Sequence, residues 1–275
     1  MKISFIIPSF RQAAFLPACL DSIAAQNLPP GSFEVRVYDG GSDDGTREIL
    51  ATHPLRPWWI SEPDGGQAAA VNRGLREARG EIIAWINSDD YYLPGAISSV
   101  LEAFSNNPGA DVIYGQARDI DERGSDLGPH PVESWSYPAL ADRCFLCQPA
   151  VFFRRGVVST AGFLDESLQM ALDYEFWLRL GRTREFFYLP VALAANRVQR
   201  ASKTSRHPVA GRREALLVSH RHTGRWSSAW LGSLAARESE GFWRRFNITS
   251  PTLVWLGKQA LLANHRFQLR VQNRP

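Results

Sequence analysis

The sequence predicts an α/β fold built on a mostly parallel central sheet flanked by helices, with a helical, basic C-terminal extension. Three observations carry this expectation. Short β-rich runs alternate with helix-period patterns through the first 110 residues, which implies parallel strands joined by crossover helices. The polar residues of that half collect just after the strands, where open parallel sheets bind their ligands. At 275 residues and 44% hydrophobic, the chain can bury a sizeable core, as one large domain or one domain with a smaller appendage.

The elements follow in order. Ile3 to Pro8 is apolar and reads as a strand, too short and without a cleavage site to be a signal peptide. Ala13 to Gln26 places Phe15, Leu16, Cys19, Leu20 and Ile23 on one face at a 3.6-residue period. Phe33 to Tyr38 is the second strand, Gly45 to Ala51 a short helix, and Pro57 to Ser61 the third strand. Gln67 to Ala78 is a helix with Gly80 as its C-terminal glycine, Glu81 to Ile86 the fourth strand, and Pro94 to Phe104 a helix opened by proline. Beyond residue 110 the alternation fades. Val112 to Ile120 and Pro149 to Phe153 read as strands, Ala171 to Leu180 as a helix, and the chain from about Pro208 as helical.

Bulk properties narrow the class. Nine Trp and fifteen Phe argue against disorder, and no apolar run is long enough to span a membrane. Three cysteines make no disulfide framework and suit a reducing cytoplasm. Cys144-x-x-Cys147 has no second pair at zinc spacing and reads as buried core thiols. The net charge of +3 is unevenly spread: residues 1–110 balance to −5, residues 111–190 to −4 and residues 191–275 to +12. That asymmetry points to an anionic partner at the C-terminal side, or to a solvated Arg-rich surface. No nucleic-acid partner is expected.

The segments after the first four strands are Ser9-Phe10-Arg11, Asp39 to Gly45, Glu62 to Gly66 and Asn87 to Asp90. Asp39-Gly40-Gly41-Ser42-Asp43-Asp44-Gly45-Thr46 is neither a dinucleotide fingerprint nor a phosphate loop. Asp39 could accept hydrogen bonds from a base or ribose, or the run could be a turn with Asp caps. In Asn87-Ser88-Asp89-Asp90, adjacent carboxylates at a strand end are costly unless water or a cation neutralises them. Asp oxygens suit Mg²⁺ or Mn²⁺, which bridge phosphate oxygens. One of the pair could instead cap the helix near Pro94, leaving Asp89 the better ligand.

Pro8-Ser9-Phe10, the Asp39–Thr46 run, Ser61-Glu62-Pro63-Asp64-Gly65-Gly66-Gln67, Asn72-x-Gly74 and Trp85-Ile86-Asn87-Ser88-Asp89-Asp90 with Pro94-Gly95 occur in this order. Together they resemble family 2 glycosyltransferases of the Rossmann-like GT-A fold over residues 1–205. The resemblance implies a catalytic domain of 1–205, with a nucleotide-sugar-binding half (1–110) and an acceptor half (111–205), and an extension of 206–275. Pro8, Ser9, Phe10 and Asp39 would line the donor site, the last three at base and ribose; Gln67 and Asn72 would flank it. Asn87, Ser88 and Asp89 match the Asp-x-Asp motif that binds diphosphate and a divalent metal, Mg²⁺ or Mn²⁺, with Asp89 as metal ligand. Asn87 departs from the first Asp and removes a charge, and Arg11 stands where Asn is common. Gln148 to Arg155 and Gly162 to Glu166 resemble the acceptor half.

Asp173 matches the catalytic base, which takes the proton of the attacking acceptor hydroxyl. Read from its neighbours alone it could also cap the helix from Tyr174; Leu172 replaces a common Glu. Asn196 to Thr204 resembles the segment that closes over the donor. Arg197 and Lys203 are the cations expected to meet the leaving diphosphate, and Gln199 stands where His is usual.

The expected reaction transfers a sugar from a UDP-, GDP- or TDP-sugar to a glycan or lipid-linked acceptor in polysaccharide or cell-envelope synthesis.

 The transfer is expected to invert the anomeric configuration. A nucleotidyltransferase also uses a carboxylate–metal pair, but the first strand is not followed by an Arg/Lys-rich loop. A catalytically silent nucleotide-binding relative is the other alternative, and the presence of both Asp89 and Asp173 argues against it. The apolar stretch Ser250 to Ala263, with Trp255 between Arg244-Arg245 and Arg266, suits a helix lying on an anionic membrane. It equally suits packing on the catalytic domain or on a homodimer partner. The expected location is the cytoplasm, at the inner face of the membrane if that helix binds it. Asn247-Ile248-Thr249 has glycosylation spacing that a cytoplasmic protein would not use.

Overall fold

The computed structural model describes residues 1–244 and 251–272. Arg245 and the Asn247-Ile248-Thr249 sequon lie outside the described residues, as do Ser250 and the last three residues. The first half alternates as expected: β1 (Ile3–Ser9), α1 (Leu16–Ala24), β2 (Phe33–Asp39), α2 (Thr46–Thr52), β3 (Trp58–Ser61), α3 (Gln67–Glu77) and β4 (Ile82–Trp85). A two-residue β5 (Tyr91–Tyr92) and α4 (Ala96–Asn106) complete it. The second half holds β6 (Val112–Ile120), β7 (Asp126–Pro129), α5 (Tyr137–Asp142), a 3₁₀ turn at Gln148–Ala150, β8 (Val151–Arg154), α6 (Val157–Ala161), α7 (Leu172–Gly181) and β9 (Phe186–Arg197). Then come α8 (Lys203–Arg206), α9 (Pro208–Thr223), α10 (Ser228–Arg244) and α11 (Pro251–Gln272).

Among the described residues the strands form one sheet in the order β3-β2-β1-β4-β8-β6-β9-β5, with β7 on β6. The β3-β2-β1-β4 half is parallel throughout, and β6 and β9 are parallel to each other. Between these halves β8 runs antiparallel to both β4 and β6. The parallel half brings its strand ends to one edge, so Ser9, Asp39 and Ser61 lie in register across β1, β2 and β3. Ile3, Phe5 and Ile7 face the α1–α4 side, whereas Ile6, Ile83 and Trp85 face the core shared with α3 and α7. Apolar side chains on both faces of β1 explain its unbroken hydrophobic sequence.

Two details differ from the sequence reading. Gly80 does not cap α3, because Ala78 already turns extended there. A Cβ at Gly80 would lie 2.5 Å from the Ser4 backbone nitrogen, so close approach to β1 explains the glycine. Helix α4 is entered through Gly95 in a left-handed conformation (φ 76°) and has no side-chain cap. Neither Asp89 nor Asp90 is its cap.

The extension packs on the acceptor half. Ala215 and Val218 of α9 join the core around α7, and Trp230 Nε1 of α10 donates to the Tyr174 hydroxyl at 3.1 Å. Leu216, Leu231 and Leu234 form a small cluster with Leu262 of α11 packed against it. Trp255 and Leu256 of α11 remain exposed.

Candidate active site

The crevice is assembled from the strand ends. At β2, Asp39 is 2% exposed and its carboxylate accepts from three hydroxyl and amide donors. Ser42 donates its backbone N–H to Oδ2 at 2.9 Å and its hydroxyl to Oδ1 at 2.5 Å, and Ser61 Oγ donates to Oδ2 at 2.5 Å. Arg11 N in turn donates to Ser42 Oγ at 2.7 Å. Arg11 holds this position with φ 54°, a costly conformation for a side-chain-bearing residue, and its guanidinium is paired with Asp43. One buried carboxylate thus ties together the ends of β1, β2 and β3. Asp44, just before the cap residue Gly45 of α2, accepts from Ala13 N and Thr46 N, so no Asp of this run is the cap itself.

Pro8 lies within β1, Phe10 is exposed beside the crevice, and the Ser9 hydroxyl is buried with no partner among the described residues. A cavity of about 380 Å³ opens beyond Asp39, with Tyr38, Glu62, Asp64, Arg73 and Arg76 in its walls. Its volume is in the range of small-molecule sites. Gly40 keeps the wall close: a Cβ there would sit 3.2 Å from the Phe10 ring.

Asn87 is a strut at the end of β4. Its Oδ1 accepts from Gln67 Nε2 at 2.7 Å, and its Nδ2 donates to Gln148 Oε1 at 3.1 Å. Gln148 Nε2 donates to the Trp85 carbonyl at 2.6 Å, and Ser88 is buried. Asn72 faces away from this group. Its carboxamide holds both the N–H and the carbonyl of Leu164 and reaches Glu166 Oε1, so it ties α3 to the acceptor half.

Asp89 and Asp90 differ in surroundings. Asp90 is 3% exposed and accepts from Arg197 N at 2.8 Å; burial pushes its carboxyl well up, and the charge of Asp89 pushes it further. Burial also raises Asp89, whose Oδ2 accepts from Gln199 Nε2 at 2.5 Å. Only Asp89 is partly open to solvent. Two carboxylates that burial makes reluctant to ionise fit a divalent cation, which would reverse that reluctance. Among the described residues no three acidic, His or Cys side chains converge into a complete cation site. Asp89 could hold Mg²⁺ or Mn²⁺, ions that commonly take one or two carboxylates with phosphate oxygens and water.

The structure separates the two cations expected over the donor. Arg197 is 8% exposed, and its guanidinium donates to the carbonyls of Asp89, Asp121 and Glu122 and lies over Phe15. It braces the carboxylate pair from behind. Lys203 opens α8 with an exposed side chain.

Asp173 sits in the first turn of α7, accepts from Tyr174 N at 2.8 Å and is pushed up by burial. The Cys147 thiol, raised chiefly by burial, also feels Asp90, Asp119 and Asp173. Ser42, Ser61 and Gln148 were not singled out from sequence as parts of the site. The serines sit in the polar strand-end segments, a signal that was present; Gln148 had none beyond its place in the acceptor-half resemblance.

A family model described as glycosyl transferase family 2 matches residues 4–157. A PGL/p-HBAD biosynthesis glycosyltransferase of Mycobacterium tuberculosis is 32% identical over 185 residues, covering 64% of this chain and 68% of the relative. An uncharacterized glycosyltransferase of Rickettsia typhi is 27% identical over 216 residues; the match covers 74% of this chain and 66% of that protein. The chain thus spans slightly under two thirds of the Rickettsia relative. Among solved structures, S. aureus TarS 1–349 in complex with UDP-GlcNAc superposes with a TM-score of 0.66 at 20% identity, covering 88% of this chain and 73% of that one. A Pyrobaculum calidifontis mannosyltransferase in complex with GDP-Man and Mn²⁺ gives a TM-score of 0.59 at 16% identity, covering 99% and 88%. These structures share the fold, which is the GT-A fold expected from the motifs.

Proposed function

Because the chain belongs to glycosyl transferase family 2, we propose that it moves a sugar from a nucleotide-sugar donor to a glycan or lipid-linked acceptor with inversion. The observation that carries this reading is the Asp89–Asp90 pair after β4, made reluctant to ionise by burial, with Asp89 partly open to solvent. The base and ribose occupy the Phe10–Asp39 side, with Asp39 shaping the wall through Ser42 and Ser61. The Ser9 hydroxyl at that strand end, without a partner among the described residues, can bond to the nucleoside. Asp89 would hold Mg²⁺ or Mn²⁺, which when bound neutralises diphosphate charge.

Asp173 accepts the acceptor hydroxyl's proton as that oxygen bonds to the anomeric carbon and the bond to the diphosphate oxygen breaks. The raised affinity of Asp173 for a proton, a result of burial, brings it closer to a useful base at neutral pH. Lys203, exposed at the start of α8, meets the diphosphate, while the Arg197 guanidinium is held by three backbone carbonyls. The exposed Trp255 and Leu256 on a basic extension support contact with an anionic membrane from the cytoplasmic side, and no helix among the described residues is long and apolar enough to cross one.

A thermal-shift screen of UDP-, GDP- and TDP-sugars with Mg²⁺ or Mn²⁺ tests the reading. A ligand at 100 times its Kd stabilises by about 2.7 kcal/mol. At about 2–4 °C per kcal/mol this is roughly a 5–10 °C rise. Asp89→Ala should abolish the metal-dependent part. A shift equal in this variant and in wild type, with and without Mn²⁺, would remove Asp89 as metal ligand.

A further inference from the structure

Helix α7 carries Asp173 but does not build its own N-terminus. Ala171 precedes it with no side-chain cap, and the stretch from Asp165 to Ala171 has no regular structure. The N–H groups at such an end need partners from elsewhere. Here the N-cap N–H of Ala171 and the two N–H groups before it are met from the extension. Glu214 of α9 accepts from Gln169 N at 3.0 Å through Oε1, and from Met170 N and Ala171 N, both at 2.6 Å, through Oε2. Ala171 is two residues from Asp173.

Two further contacts from α9 bracket this clamp. Arg221 pairs with Asp165 at 2.9 Å, and His222 Nε2 lies 3.1 Å from Glu175 Oε1 in a nearly buried pair. The segment on either side of Asp173 is thus tied to one helix at Asp165, at residues 169–171 and at Glu175. Upstream, Asn72 holds Leu164 to α3. Without Glu214, three backbone N–H groups next to Asp173 would lose a charged acceptor, and the bend that sets the angle of the first turn would have no fixed partner.

We infer that Glu214 is a positioning residue for Asp173, so that the C-terminal extension is part of the machinery of transfer. The inference rests on Asp173 being the base. It assigns a role in the reaction to a helix that lies beyond the family-matched residues 4–157. A misplacement of the base by an ångström lowers turnover while leaving the donor side, built on β1 to β4, undisturbed.

The full-length chain with Glu214→Ala, Glu214→Gln, Glu238→Ala or Asp173→Asn provides the test. Glu238, which pairs with Arg213 and His265 away from α7, controls for loss of packing in the extension. Amide hydrogen exchange of the peptide spanning residues 165–175 is measured first, since it needs no ligand. Turnover is then read as nucleoside diphosphate release to water, using the nucleotide sugar with the largest thermal shift. Glu214→Ala should speed exchange at residues 169–173 roughly 10-fold or more. It should lower kcat about 10- to 100-fold, with donor KM within about twofold. Glu214→Gln, whose single acceptor oxygen can meet Met170 N and Ala171 N but not Gln169 N as well, should recover part of both, and Glu238→Ala should change neither. Unchanged exchange at residues 169–173 in Glu214→Ala, or full turnover despite faster exchange, overturns the inference. Full turnover in Asp173→Asn instead overturns the reading of Asp173 as base, and leaves the exchange result standing as a test of the clamp.

Discussion

Gln199→Glu isolates the electrostatics of the carboxylate pair. The Gln199 side chain is 4% exposed and its Nε2 donates to Asp89 Oδ2 at 2.5 Å, with Asp90 adjacent. Glutamate there replaces a donor with an acceptor of nearly the same shape. Loss of a hydrogen bond to a charged group is worth about 1.5–3 kcal/mol. A like-charge pair at about 4 Å adds roughly 4 kcal/mol at an effective dielectric of about 20, an amount that proton uptake limits. The variant should therefore be about 3–5 kcal/mol less stable near pH 8, a fall in Tm of roughly 6–20 °C.

The sign of the pH dependence follows from Asp89 and Asp90, both held above the ordinary carboxylate value in the folded chain. Such groups bind their protons more tightly when folded. Their contribution is greatest at low pH and is lost as pH rises from the ordinary carboxylate range through the folded values. A third carboxylate at position 199 steepens this loss. Scanning calorimetry between about pH 5 and about pH 8, with and without Mn²⁺, reads it directly. The deficit should shrink at the acidic end and on adding Mn²⁺. A deficit equal at both pH values and indifferent to Mn²⁺ would refute the proposed coupling at Asp89.

Three other outcomes are expected. Asp173→Asn should reduce transfer by about 10²- to 10⁴-fold while the thermal shift with donor stays near that of wild type; retained turnover removes Asp173 as base. Asn72→Ala removes the carboxamide that holds Leu164 and Glu166, and should lower stability by about 2–4 kcal/mol in denaturant unfolding. Gly80→Ala pushes a Cβ against the Ser4 backbone and should cost about 1–3 kcal/mol or more, whereas Gly109→Ala, with open space around it, should be near neutral by the same assay.

Local pattern made much of the donor half legible. Each of the first four strands and its following helix has its own periodicity, and a parallel sheet places successive strand ends at one edge. Asp39, Asp89 and Asp90 could therefore be located before any tertiary contact was known. The antiparallel insertion of β8 between β4 and β6 could not, because β8 pairs with strands far from it in sequence and carries no mark of which neighbours it takes.

The roles inside the site also depended on folding. Arg197 reads as a free cation, yet the turn at Asp121 and Glu122 offers it two carbonyls and Asp89 a third. Asp39 reads as a ligand for base or ribose; in the fold Ser61 arrives from the next strand as its third donor, beside the two from Ser42. By itself the sequence determined the fold class, the family resemblance and the residues gathered at the strand ends, since these rest on local periodicity and ordered motifs. Only the tertiary structure decided which of those groups are spent on one another and which remain open. Hydrogen-bond capacity is finite, and partners distant in the chain compete for it once packing brings them together. Glu214, supplied from α9 to the backbone before Asp173, is the clearest instance.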